Sequence, residues 1–211
     1  MAALALALYC VLLVITFGVR VAVQLRRTGS TGVKGLPAGA PPLERLAGVF
    51  FFVALVGGAL APLLALTGAL EPVPALDGPV GNALGLLLTV TGIALTFAAQ
   101  LAMGDAWRIG VDPEERTELV TGGPFRLVRN PIYSAMMPTV LGLVLIVPSP
   151  LALAAFACLV ASIELQVRLV EEPHLLRTHG SAYAEYATRV GRFVPGLGSI
   201  HGVPAVSLPP K

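Results

Sequence analysis

Five largely apolar runs, residues 2–25, 46–70, 79–103, 132–147 and 151–170, constrain this chain more than any other feature. A helix needs roughly 20 apolar residues to cross a bilayer. In lipid every backbone N–H and C=O must be bonded internally, so helices are the form such runs take. The expected fold is all-α and polytopic: about five transmembrane helices, the last two forming a hairpin, followed by short C-terminal helices on the cytosolic side. Only 12% of residues are charged, against about 25% in soluble domains. The first run lacks the basic start of a signal peptide and outruns its apolar core, so it reads as a span.

Several function classes drop out. The net charge of +2 comes without a basic cluster, and nucleic-acid binding needs one. Cys10 and Cys158 both lie inside apolar runs, and the histidines (His174, His179, His201) show no metal-ligand spacing with them. Neither a disulfide scaffold nor a metal site is expected.

Local features set the expected organisation. Gly81, Gly85 and Gly92 give the third run a small face for close helix packing. Pro148-Ser149-Pro150 turns the chain between the fourth run, short for a span, and the fifth. Arg20 is expected to snorkel to the interface, and Trp107 with Arg108 to mark it. Beyond Pro173 the chain turns at Gly180 and forms a short helix near residues 182–189. The units are then 1–103, three N-terminal spans; 104–195, a core of connector, hairpin and C-terminal helix; and 196–211, a tail. Lys and Arg cluster in the first and third loops and after the last span, which puts the N-terminus outside and both polar clusters and the C-terminus inside.

Two polar clusters interrupt the apolar pattern. Residues 117–133 combine turn residues, arginines, an acid and an amide; Gly122-Gly123-Pro124 cannot continue a helix, and Pro131 pushes Asn130 out of helical geometry. Irregular polar backbone beside a bilayer is tolerated where it lines a cavity. The last span carries Glu164, Gln166 and Arg168, followed by Glu171 and Glu172. On a regular helix 164, 168, 171 and 172 share one face. An acid at mid-membrane costs about 3 kcal/mol, so this face is expected to meet protein or water. The two clusters read as two halves of one ligand site.

Leu119-Val120-Thr121-Gly122-Gly123-Pro124-Phe125, then Arg129-Asn130-Pro131-Ile132-Tyr133, then Glu171-Glu172, then His179 to Tyr186, then Val190 to Pro195, form an ordered set. This set resembles the isoprenylcysteine carboxyl methyltransferase family and its phospholipid-methyltransferase relatives. The resemblance implies a membrane enzyme using S-adenosylmethionine, held between the last two spans and the C-terminal segment. It implies that Thr117, Glu118, Leu119 and Val120 line the cofactor, with Phe125 as a ring wall and Glu171 as the acid that holds it. Asn130, Pro131, Ile132 and Tyr133 stand at the family's His-Pro-x-Tyr segment; an amide replaces histidine and does not titrate near neutral pH. The family's substrate arginine lies four residues before the acid, where this chain has Val167. Arg168, one residue later, is assigned that role.

S-adenosylmethionine presents an ammonium, for Glu171 or Glu172, and a carboxylate, for Arg129 or Arg168. Phe125, Tyr133, Leu119 and Val120 would enclose the adenine. Methyl transfer needs in-line positioning and no metal. An amine or thiol acceptor would need a proton acceptor, for which Glu164 or Glu172 is the candidate. The expected acceptor is lipophilic and enters from the bilayer: a prenylcysteine carboxylate, an isoprenoid or a phospholipid. The alternative is a non-catalytic membrane assembly or transport partner that keeps the fold.

Overall fold

The computed structural model describes residues 1–34, 39–110 and 118–200. Thr117, Arg116 and tail residues 201–211 lie outside the described residues. Helix α1 spans Ala2–Thr28, α2 Pro42–Leu66, α3 Pro79–Ala102, α4 Pro131–Ile146 and α5 Pro150–His179; α6, Ser181–Arg189, follows. Among the described residues no sheet forms, only isolated β-bridges. Four of these helices are long and apolar enough to cross a membrane; α4, at 16 residues, is shorter.

Each of α2 to α5 opens with proline at its first position. Proline is preset for that position, and its missing N–H would have had no partner there. Ser149 caps α5 by accepting from the Ala152 N–H at 3.2 Å, so Pro148-Ser149-Pro150 ends one helix and starts the next. Gly180, at φ 54° and ψ −126°, makes the corner between α5 and α6, a geometry that only glycine adopts freely.

The bundle is built from close pairs. Helices α3 and α4 pack through Gly85, Thr89 and Gly92 against Thr139 and Gly142. Thr89 donates to the Thr139 carbonyl at 3.3 Å. Without hydrophobic drive between helices in lipid, such small-residue contact holds spans together. A Cβ on Gly92 would meet Thr139 Oγ1 at 2.0 Å. Gly92→Ala should therefore destabilise the fold by about 1–3 kcal/mol. Gly18→Ala, with nothing within 4 Å of its Cβ, should be neutral or slightly stabilising. Thermal unfolding in detergent checks the pair, and equal midpoints would refute the close contact. Helices α2 and α5 pack the same way, with Gly57 against Ala155 and Ser162 donating to the Ala47 carbonyl at 2.8 Å.

Two helices widen into π-turns, at Val14–Val19 in α1 and Gln166–Glu171 in α5. The first precedes a buried polar face. Arg20 is 1% exposed and Trp107 3%, so both are enclosed by protein instead of standing open at the surface. The guanidinium lies 4.5 Å over the indole ring. In a span, a sealed cation over an aromatic face is better placed than one held in hydrocarbon.

Candidate functional site

Five alternating passes bring the C-terminal ends of α1, α3 and α5 and the N-terminal ends of α2 and α4 to one end of the bundle. There they enclose a cavity of about 330 Å³. Phe17, Phe51, Met136 and Ile163 line its apolar end, and Glu118, Arg108, Glu171 and His174 its polar end. A smaller apolar pocket of about 50 Å³ shares Thr16, Phe17, Phe51 and Met136 with it and continues between α1, α2, α4 and α5.

At the polar end the Tyr133 hydroxyl donates to Glu171 Oε1 at 2.7 Å, tying α4 to α5. Gln166 also lines the cavity. Gln166 and Glu171 are five residues apart, the repeat of a π-turn, so the wide turn aims both inward. The same turn breaks the expected face. It rotates everything after it by about one residue, roughly 100°. Glu164 and Arg168 pair with each other, 37% and 54% exposed, and neither lines the cavity. The substrate role given to Arg168 and the proton-acceptor role given to Glu164 find no geometric support.

Glu172 also turns away from the cavity. It receives Arg129 Nη2 at 2.6 Å and Arg192 Nε at 2.8 Å on Oε1, and Arg192 Nη2 at 2.9 Å on Oε2. Arg129 also donates to the carbonyls of Ala187 at 3.1 Å and Gly198 at 3.0 Å, and to that of Val190. With Arg129 and Glu172 side chains 1% and 7% exposed, this is a sealed clasp between the loop before α4, helix α5 and the segment after α6. Glu172 is spent on the clasp, not free as a base, and Arg129 reaches the cavity wall with its charge already paired. The carboxylate of Glu172 holds Arg192 protonated even more firmly than usual.

The loop before α4 is shaped by these contacts. A short 3-10 turn, Gly123–Arg126, buries Phe125, whose carbonyl accepts the Tyr186 hydroxyl at 2.6 Å. Burial pushes the Tyr186 hydroxyl up to about 12, so it stays a donor at neutral pH. Tyr183, buried on α6, is pushed up for the same reason and lines the cavity. Asn130 donates from its backbone N–H at 3.1 Å and from Nδ2 at 3.3 Å to the Arg192 carbonyl.

Residues 80–182 match the family model described as "Phospholipid methyltransferase". The matched segment, just under half of the chain, is similar to that family. It is 31% identical over 113 residues to protein-S-isoprenylcysteine O-methyltransferase B of Arabidopsis thaliana, covering 53% of this chain and 57% of that protein. It is 31% identical over 112 residues to the nickel-cobalt-cadmium resistance protein NccN of Alcaligenes xylosoxydans xylosoxydans, covering 53% and 51%. The chain thus spans about half the length of the curated relatives it matches. The solved structure of the eukaryotic intramembrane Ras methyltransferase ICMT superposes with a TM-score of 0.53 at 22% identity, over 85% of this chain and 61% of that one. At that identity the likeness is one of fold.

The cavity gathers the cofactor set that the family resemblance implies: Glu118, Leu119, Val120, Phe125, Arg129, Asn130, Pro131, Ile132, Tyr133 and Glu171 all line it. Thr117 lies outside the described residues. Val167, at the position of the family's substrate arginine, is fully buried and does not line the cavity. Sequence reasoning passed over His174, Gln166 and Tyr183. His174 sits one helical turn past Glu171 and Tyr183 lies within a family motif, so both carried a signal. The walls from α1 and α2 and from residues 106–110 carried none, because they arrive from distant sequence.

Proposed function

We propose that this chain is an integral membrane S-adenosylmethionine-dependent methyltransferase acting on a lipophilic acceptor. The observation that carries the reading is the two-natured cavity, with the Tyr133–Glu171 pair at its polar end and Phe17, Phe51 and Met136 at the other. The donor set fits the cofactor. Glu171, oriented by the Tyr133 hydroxyl, takes the ammonium, and Arg108, at the cavity wall, takes the carboxylate. Leu119, Val120 and Phe125 form the wall for the adenine. When bound, S-adenosylmethionine supplies a methyl group activated by its sulfonium.

The chain's part is positioning and the exclusion of water, which lower a barrier without an enzyme-bound intermediate. A carboxylate acceptor arrives ionised and needs no base. For an amine or thiol, His174 lines the cavity, 4% exposed, and is better placed than Glu164 or Glu172. The apolar pocket beyond Phe17 and Phe51 suits the start of a prenyl, isoprenoid or acyl chain. The basic loops put the cavity mouth on the cytosolic side.

Purified protein incubated with labelled S-adenosylmethionine and a total membrane extract should yield a labelled lipid. The second reading, a non-catalytic membrane partner, draws on Asn130 in place of histidine and on the resistance protein among the relatives. It predicts S-adenosylhomocysteine binding with no labelled product. Absence of binding would overturn both.

A further inference from the structure

We propose that Arg20, on the first span and outside the matched residues 80–182, is a positioning residue of the cavity acting through Trp107. Its Nη2 donates to the Gly104 carbonyl at 2.5 Å and its guanidinium carbon lies 4.5 Å over the Trp107 ring. One turn on, Gln24 Nε2 donates to the Asp105 carbonyl at 2.8 Å. Past the helix end, the Gly32 carbonyl accepts the Ile109 N–H and the Lys34 N–H donates to the Ile109 carbonyl, both at 2.8 Å. The end of α1 and the strip after it are thus stitched along residues 104–109. That strip supplies Ala106, Trp107, Arg108 and Ile109 to the cavity wall.

Arg20 is the keystone for a physical reason. A guanidinium sealed inside a span is costly unless something compensates it. Its Nε and Nη1 are sealed and have no hydrogen-bond partner. The indole face and the Gly104 carbonyl therefore carry the compensation, and a desolvated cation–π contact is stronger than an exposed one. The guanidinium in turn fixes where Trp107 stands. Its neighbour Arg108, assigned above to the cofactor carboxylate, is fixed with it.

The chain has a single tryptophan, so its emission reports this site alone. Arg20→Met should red-shift the emission and raise acrylamide quenching about twofold, and lower S-adenosylhomocysteine affinity about tenfold, from the loss of one charged hydrogen bond and the stack. Arg20→Lys should keep the blue emission and recover part of the affinity. Arg27→Met, which removes a pair with Asp105 whose side chains are 53% and 61% exposed, should change neither. Unshifted emission in Arg20→Met, or an equal shift in Arg27→Met, would overturn the role. Should Arg20→Met fail to fold, Gln24→Leu decides: a smaller red shift supports the stitched strip, and none refutes it. The affinity readout rests on the proposed function, but the emission does not. A wild type that binds no S-adenosylhomocysteine would sink the methyltransferase reading while the emission still tests Arg20.

Discussion

Glu171→Gln should weaken S-adenosylhomocysteine binding by about 10- to 100-fold. The carboxylate is aimed into the cavity by the π-turn and oriented by Tyr133 at 2.7 Å. A hydrogen bond to a charged group is worth about 1.5–3 kcal/mol, and each 1.4 kcal/mol is roughly tenfold in affinity. The glutamine keeps the shape and the contact with Tyr133 but removes the charge that pairs with the ammonium. Tyr133→Phe should cost only a few-fold, because it removes a neutral donor that orients the acid. Glu164→Gln should leave affinity unchanged, since that side chain pairs with Arg168 away from the cavity. Calorimetry on the detergent-solubilised protein separates the three. Wild-type affinity in Glu171→Gln would take that residue out of the site.

Breaking the clasp should have the largest effect on stability. Arg129→Met is expected to destabilise the protein by about 3–5 kcal/mol, the range for removing one partner of a buried ion pair. The substitution strips Glu172 of its closest cation and takes the guanidinium donor from the carbonyls of Val190 and Gly198. Glu172→Gln should be nearly as damaging, because Arg129 and Arg192 would then face each other without the anion between them. Arg168→Ala, which breaks a half-exposed pair, should cost no more than about 1 kcal/mol. Thermal unfolding in one detergent compares them. Equal midpoints for Arg129→Met and Arg168→Ala would show that the clasp does not hold the C-terminal segment.

The bundle was legible because bilayer thickness writes itself into run length. All five runs became helices, and Gly85 and Gly92 met α4 as their spacing foretold. The union of Asn130–Tyr133 with Glu171 was legible through the family motif. Two readings failed for identifiable reasons, and one contact went unforeseen. The shared face of Glu164, Arg168, Glu171 and Glu172 assumed a regular helix, and no residue type announces a π-turn. Glu172 looked like a second site acid because its partners, Arg129 and Arg192, are 43 and 20 residues away. Arg20 and Trp107 were read as interfacial from rules that treat each residue alone. Their contact crosses 87 positions and exists only once α1 lies beside the connector after α3.

The broad turn in α5 has a consequence for how this helix can change over time. Glu171 faces inward because one residue too many is packed into the turn before it. Substitutions along the outer side, at Arg168 or Leu169, leave that aim intact. Tightening of this turn to the ordinary pitch at unchanged length would swing the acid by about 100° away from the cavity, whereas loss of a single residue between Ile163 and Glu171 would remove the widened turn and leave the acid facing inward. The helix is thus free to drift in composition on its outer side, while its residue count and the pitch of this turn can change only together.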